Sequence, residues 1–220
     1  IGDSITCGYG VDDPDKEHHF KTATEDVTKA YAYKTALALN ADYSMVSVSG
    51  YGIISGFTND GNKIPEQTIP QYYDKLGFSY NKFADSITVS ETEWDFERYK
   101  PDIIVINLGT NDMNYATTDE RKAEFEDGYL DFLKKVRSLN HDSYIFQTYG
   151  VMGTSLEENI ENVRRKYMSE TGDERITFIP LTMQDEDADG IVADWHPSPR
   201  THSLVSQKVT AAIKETLGYK

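Results

Sequence analysis

"PDIIVINLGTND" occupies residues 101–112. Pro101 keeps the start of this segment extended, and Ile103, Ile104, Val105 and Ile106 follow without a polar break. A strand with one solvated face alternates apolar and polar residues. An unbroken β-branched run is therefore read as a strand covered on both faces, the situation in a parallel sheet. The run stops at Leu108 and Gly109, and Thr110, Asn111 and Asp112 stand at its carboxyl end. In an open parallel sheet that end is where ligands bind.

Moving outward, residues 119–139 place Phe125, Tyr129, Phe132, Leu133 and Val136 at spacings of three and four, which predicts an amphipathic helix. Residues 143–151 read as a second strand, 156–170 as a helix with Ile160, Val163 and Tyr167 on one face, and 175–181 as a third strand. Residues 199–218 close the chain as a helix, with Gly218 as its cap. Upstream, 31–40 predicts a helix and 42–50 a short strand. Strands alternating with helices of this length predict an α/β fold, a three-layer α/β/α sandwich around a mostly parallel sheet. Residues 53–100 hold no sustained period and read as an insertion or long loops over one end of the sheet.

Lys and Arg number 22 against 37 Asp and Glu, a formal charge of −15. That balance argues against a nucleic-acid partner or an anionic membrane surface, and a neutral, sugar-like partner suits it better. No apolar run approaches the ~18 residues of a membrane span. A single cysteine, Cys7, excludes an internal disulfide and reads as a small buried hydrophobe.

Four polar clusters fall at predicted strand ends: Asp3 and Ser4, Ser49 and Gly50, residues 109–112, and "ADWHPS" at 193–198. A serine hydroxyl needs an adjacent base to act as a nucleophile near neutral pH, and His196 is the candidate for Ser4. The developing oxyanion needs donors, for which the Ser4 and Gly50 amides and the Asn111 side chain qualify. Trp195, beside the candidate base, is the aromatic wall against which a sugar ring could stack. Tyr51 and Asp112 are further candidate substrate contacts, and Trp94, Tyr9 and Tyr115 are weaker ones.

"GDSIT" with Ser4, "SVSG" with Gly50, "GTND" with Asn111 and "DWHP" with His196 match in order the four blocks of the SGNH (GDSL-type) hydrolases, which the chain resembles. Its "GDSITCGYGV", "SGYG" and "ADWHPS" look most like carbohydrate esterase family 2. The resemblance implies a flavodoxin-like sandwich and a serine esterase removing O-acetyl groups from plant polysaccharides, without metal or organic cofactor. Ser4 would be nucleophile and oxyanion donor, Gly50 and Asn111 further donors, and His196 the base. It implies secretion, and an acetylated oligo- or polysaccharide as the partner. It also leads to the expectation that residues 1–220 are one catalytic domain, its first strand truncated, following a β-sandwich domain in a longer protein.

Many SGNH enzymes carry an aspartate three residues before the histidine. Here that position is Ala193, and the carboxylate, Asp194, lies two before. One step along an extended chain turns a side chain to the other face, so either the Asp194 side chain or a backbone carbonyl is expected to orient His196. Two acidic stretches are set aside as metal sites. "DEDADG" at 185–190 opens like a calcium loop but has His196 where the twelfth-position Glu should stand, and "DDPDKEHH" at 12–19 reads as a polar loop.

Overall fold

The fold was analysed in a computed structural model describing residues 1–78, 82–83 and 86–219. The chain begins with a one-turn helix, α1 (Ser4–Cys7), followed by α2 (Tyr31–Ala38) and the two-residue strands β1 (Lys82–Phe83) and β2 (Ile87–Thr88). From there the alternation is regular: β3 (Ile103–Asn107), α3 (Asp119–Leu139), β4 (Tyr144–Tyr149), α4 (Glu157–Thr171) and β5 (Ile176–Pro180). A short turn of helix, α5 (Glu186–Asp189), precedes the paired β6 (Ile191–Val192) and β7 (His196–Pro197), and α6 (Pro199–Leu217) ends the chain.

β3 pairs with β4 and β4 with β5, all in parallel. The sheet continues past β3 through one residue, because Gly2 forms parallel bridges to Asn107 on one side and to Ser47 on the other. The Ile1 nitrogen donates to the Val105 carbonyl at 2.8 Å, and the Gly2 amide to the Val46 carbonyl at 2.9 Å. The spatial order is thus residues 45–48, residues 1–2, β3, β4, β5, as in a flavodoxin-like sheet. The strand expected over 42–50 is only this Ser47 bridge.

Side chains of one strand leave the sheet on opposite faces, and β4 shows where each goes. Ile145 enters a core with Phe125, Tyr129 and Leu133 of α3 and Ile160 and Val163 of α4. Phe146 faces Tyr31 of α2 and Val205, Val209 and Ile213 of α6. Helices therefore cover both faces, giving the three-layer sandwich. The helix ends follow their residue chemistry: Thr118 and Ser198 accept first-turn amides of α3 and α6, and Gly172 and Gly218 close α4 and α6 in left-handed conformation.

The described residues of 53–100, apart from β1 and β2, are turns, bends and single 3-10 turns, as their lack of period predicted. Beside Ile1 lies a largely apolar groove of about 470 Å³, bounded by Tyr31, Val46, Ile69, Tyr73 and Val105.

Candidate active site

Ser4 owes its position to the shortness of α1. Asp3 caps the helix, its carboxylate accepting the Ile5 amide at 3.0 Å and its carbonyl the Thr6 and Cys7 amides at 3.0 Å. Gly8, at φ +76°, ends it one turn later. Ser4 is thereby the first helical residue, at the carboxyl edge of the sheet.

His196 reaches the same point from the other end of the chain. Ser4 Oγ donates to His196 Nε2 at 2.9 Å, and His196 Nδ1 donates to the Asp194 carbonyl at 2.9 Å. The second bond places the proton on Nδ1, which leaves the Nε2 lone pair toward the serine. Burial, which disfavours the imidazolium, outweighs the nearby carbonyls and brings the His196 pKa down to about 4. The base is neutral, and so ready to accept a proton, at neutral pH.

Asn111 is almost fully buried and donates through Nδ2 to the Tyr51 carbonyl at 2.8 Å. Its remaining contact, to Asp3 Oδ2, is long at 3.4 Å, which leaves one amide hydrogen weakly engaged. The Tyr51 bond also brings Asn111 next to Gly50. Gly50 sits at φ +81°, with open space where a Cβ would stand, so the glycine is required by its backbone and not by crowding. Ser4, His196, Asn111 and Gly50 are therefore gathered at one sheet edge from four distant segments. A hydroxyl facing a neutral imidazole, with amide donors beside it, can carry out acyl transfer.

The expected Asp112 contact is corrected, and the choice left open at Asp194 is decided. Asp112 is fully buried, and its carboxylate accepts the amides of Ile53, Ile54 and Ser55 at 2.8–3.1 Å. It shapes the loop after Gly50 and has no face toward a substrate. The Tyr51 ring packs on Tyr72 and Phe78 at the edge of the core. The Asp194 carboxylate turns away from His196, accepting Tyr9 Oη–H at 2.6 Å, His19 Nδ1 at 2.8 Å and the Phe20 amide at 2.9 Å. Burial raises its pKa, but these donors outweigh burial and hold it below the ordinary carboxylate value. The carbonyl of the same residue makes the orienting contact, because Asp194 adopts φ +50°.

Trp195 is half-exposed beside His196. Tyr115 lies under the Arg121 guanidinium and bonds Glu124. The acidic stretches have structural partners: Asp185 caps α5, and residues 12–20 dock on the segment before His196. Among the described residues no group of three His, Cys, Asp or Glu side chains is arranged to hold a metal ion. Cys7 is partly buried and donates to Ser47 Oγ at 3.3 Å. Sequence reasoning missed His19 and Phe20 altogether and gave Tyr9 little weight. No local pattern joins them to a residue some 175 positions away.

Residues 1–204 match the model of the GDSL-like Lipase/Acylhydrolase family. The whole chain is 34% identical over 228 residues to cellulase/esterase CelE of Acetivibrio thermocellus, of which it spans 25%. It is 25% identical over 225 residues to an acetylxylan esterase / glucomannan deacetylase of Cellvibrio japonicus, spanning 56% of that protein. Among solved structures, a family two carbohydrate esterase from Clostridium thermocellum in complex with cellohexaose superposes with a TM-score of 0.84 at 33% identity, over all of this chain and 64% of that one. The acetyl xylan esterase Est2A from Butyrivibrio proteoclasticus does so with a TM-score of 0.91 at 26% identity, again over all of this chain and 64% of the other. The chain thus spans between a quarter and just under two thirds of these relatives. With its four blocks meeting at one sheet edge, the chain belongs to the GDSL-like lipase/acylhydrolase family and is similar, within it, to family two carbohydrate esterases.

Proposed function

We propose that the chain is a serine esterase that removes O-acetyl groups from carbohydrates. The observation that carries this reading is the alignment of Ser4 Oγ, His196 Nε2 and the Asp194 carbonyl, with both bonds at 2.9 Å. Names of relatives support the acetylated-glycan substrate: an acetylxylan esterase / glucomannan deacetylase and an acetyl xylan esterase. The formal charge of −15 fits a neutral glycan better than a polyanion.

In the proposed reaction, Ser4 Oγ attacks the acetyl carbonyl carbon while its proton passes to His196 Nε2. The oxyanion is met by the Ser4 and Gly50 amides and the Asn111 side chain. As the C–O bond to the sugar breaks, Nε2 returns the proton to the departing sugar oxygen. The acetyl group is left on Ser4. Water, deprotonated by the same nitrogen, then attacks the acyl-serine, and acetate leaves as the proton returns to Ser4. Trp195 supplies a half-exposed aromatic face for a sugar ring. Polymeric glycans of this kind lie outside the cell, so the reading carries with it a role in polysaccharide degradation there.

The test is acetate release from acetylated xylan and glucomannan by the chain and by Ser4→Ala. Release by the parent chain and its loss in the variant is the expected result. Turnover by Ser4→Ala at parental rates overturns the mechanism. A series of aryl esters should lose activity steeply beyond two to four acyl carbons, and an equal or rising rate with longer chains overturns the acetyl assignment.

A further inference from the structure

The polar stretch at residues 12–20 does more than solvate a turn. It folds back onto the segment before His196, with the Ala193 amide bonding the Asp13 carbonyl and the Asp194 amide the His18 carbonyl, each at 3.0 Å. Beneath it, the Tyr9 ring lies flat on the His196 imidazole, at a centroid separation of 4.0 Å and an interplanar angle of 23°. Phe20 covers the opposite face of the Tyr9 ring at 4.7 Å. The Tyr9 hydroxyl meets Asp194 Oδ2 at 2.6 Å, and the Phe20 amide meets the same oxygen at 2.9 Å.

Asp194 and Trp195 adopt φ of +50° and +58°, so two consecutive non-glycine residues are left-handed. Such a pair persists only where its surroundings enforce it. The enforcing contacts fall on the Asp194 carboxylate, and the enforced turn is the one that points the Asp194 carbonyl at His196 Nδ1. The His19 ring lies 89% exposed against Oδ1, whereas the Tyr9 hydroxyl and the Phe20 amide both hold Oδ2. Gly10 lets the two segments close up, since a Cβ there would come within 2.8 Å of Ala193 Cβ.

We propose that Tyr9 and the Asp194 carboxylate are positioning residues for the base, Tyr9 by stacking on the imidazole and Asp194 by locking the left-handed turn whose carbonyl orients it. The inference rests on the reading of His196 as general base and assigns a role to a loop that this reading leaves unused.

The experiment measures kcat, KM and the pH profile of acetyl-ester hydrolysis for Tyr9→Phe, Tyr9→Ala, Asp194→Ala and Asp194→Asn, with thermal midpoints recorded beside Ser4→Ala. Misplacing a reacting group by an ångström costs on the order of 10²-fold, so Asp194→Ala and Tyr9→Ala should lower kcat by about that factor with KM little changed. Asp194→Asn, which keeps an acceptor for the Phe20 amide and tolerates the left-handed turn, should recover most of the loss. Tyr9→Phe, which keeps the stack and drops one hydrogen bond, should cost on the order of tenfold or less. Tyr9→Ala should also raise the acid limb of kcat/KM from its starting point near 4, since it opens the imidazole face to water. Folded Tyr9→Ala and Asp194→Ala proteins whose kcat and acid limb match the parent overturn the proposal, as do losses carried by KM alone. If either Ala variant fails to fold, Tyr9→Phe and Asp194→Asn decide: a loss for Asp194→Asn as deep as for Ser4→Ala overturns it. Full turnover by Ser4→Ala removes the base reading and the inference with it. A dead Ser4→Ala beside clamp variants with parental kcat removes the inference alone.

Discussion

The His196 imidazole is brought to about pKa 4 because burial costs its cation more than the surrounding carbonyls return. A general base works only when unprotonated. A lowered pKa therefore extends activity toward acid, and the acid limb of kcat/KM should lie near 4 and not at the 6.5 of a free imidazole. A rate profile across mildly acid pH checks this. Asn111→Ala removes one oxyanion donor and should cost about 10²–10³ in kcat with the fold retained, measured against the same aryl acetate. Ser4, Gly50, Asn111 and His196 each end a strand or stand in a short block, so their position at one sheet edge follows from local sequence. The Asp112 side chain was misread, and the choice between side chain and carbonyl at Asp194 was not legible, for one shared reason. The direction of a loop side chain is set by partners far along the chain, here 57 to 59 residues away for the Asp112 carboxylate and 185 for Asp194 and Tyr9.

At the scale of elements, α6 begins immediately after the strand that bears His196, so its first turn anchors the catalytic segment. Ser198 Oγ accepts the Thr201 amide at 3.1 Å and donates to the Asp189 carbonyl at 2.7 Å, joining α6 to α5. Ser198→Ala should lower stability by about 1 kcal/mol, the usual cost of a lost N-cap, read as a shift in the urea midpoint at unchanged slope. From β3 to β5, and in α6, the elements were legible because each buries one face or both. Burial imposes a period of two or 3.6, or an unbroken apolar run, on the sequence. The 42–50 segment has the composition of a strand, and pairs with Gly2 through the single bridge at Ser47. The described residues of 53–100 run as irregular turns, tied in part to distant residues such as Asp112 and Glu124. No period could announce them.

Across the whole molecule, four buried titratable groups stand in opposition. Burial raises Asp3 to about 7 and Asp112 to about 6, and lowers His196 to about 4 and His202 to about 3. A carboxyl whose folded pKa is raised binds its proton more tightly when folded, so its contribution weakens the fold as pH rises above the ordinary carboxylate value toward the folded one. A histidine whose folded pKa is lowered acts in the opposite sense, weakening the fold as pH falls below the ordinary imidazole value. Between about pH 4 and 6 the unfolded chain carries two protons on these histidines, and the folded chain carries two on these aspartates. The slopes cancel. His202 accepts the Tyr31 amide at 3.2 Å, and glutamine can replace it as acceptor without titrating. In His202→Gln the balance among these four is broken by one proton, so the difference in stability between variant and parent should shift against the variant as pH rises through this window, by roughly 1.4 kcal/mol per unit. Denaturant titrations at several pH values separate the two. The same exchange of two imidazole protons for two carboxyl protons has a calorimetric consequence. Because the four groups pass their protons from one pair to the other when the chain unfolds near pH 5, none need be drawn from the buffer on their account. These four groups should then add nothing to the dependence of the unfolding heat on the buffer's ionisation enthalpy, and His202→Gln should change that dependence by one released proton.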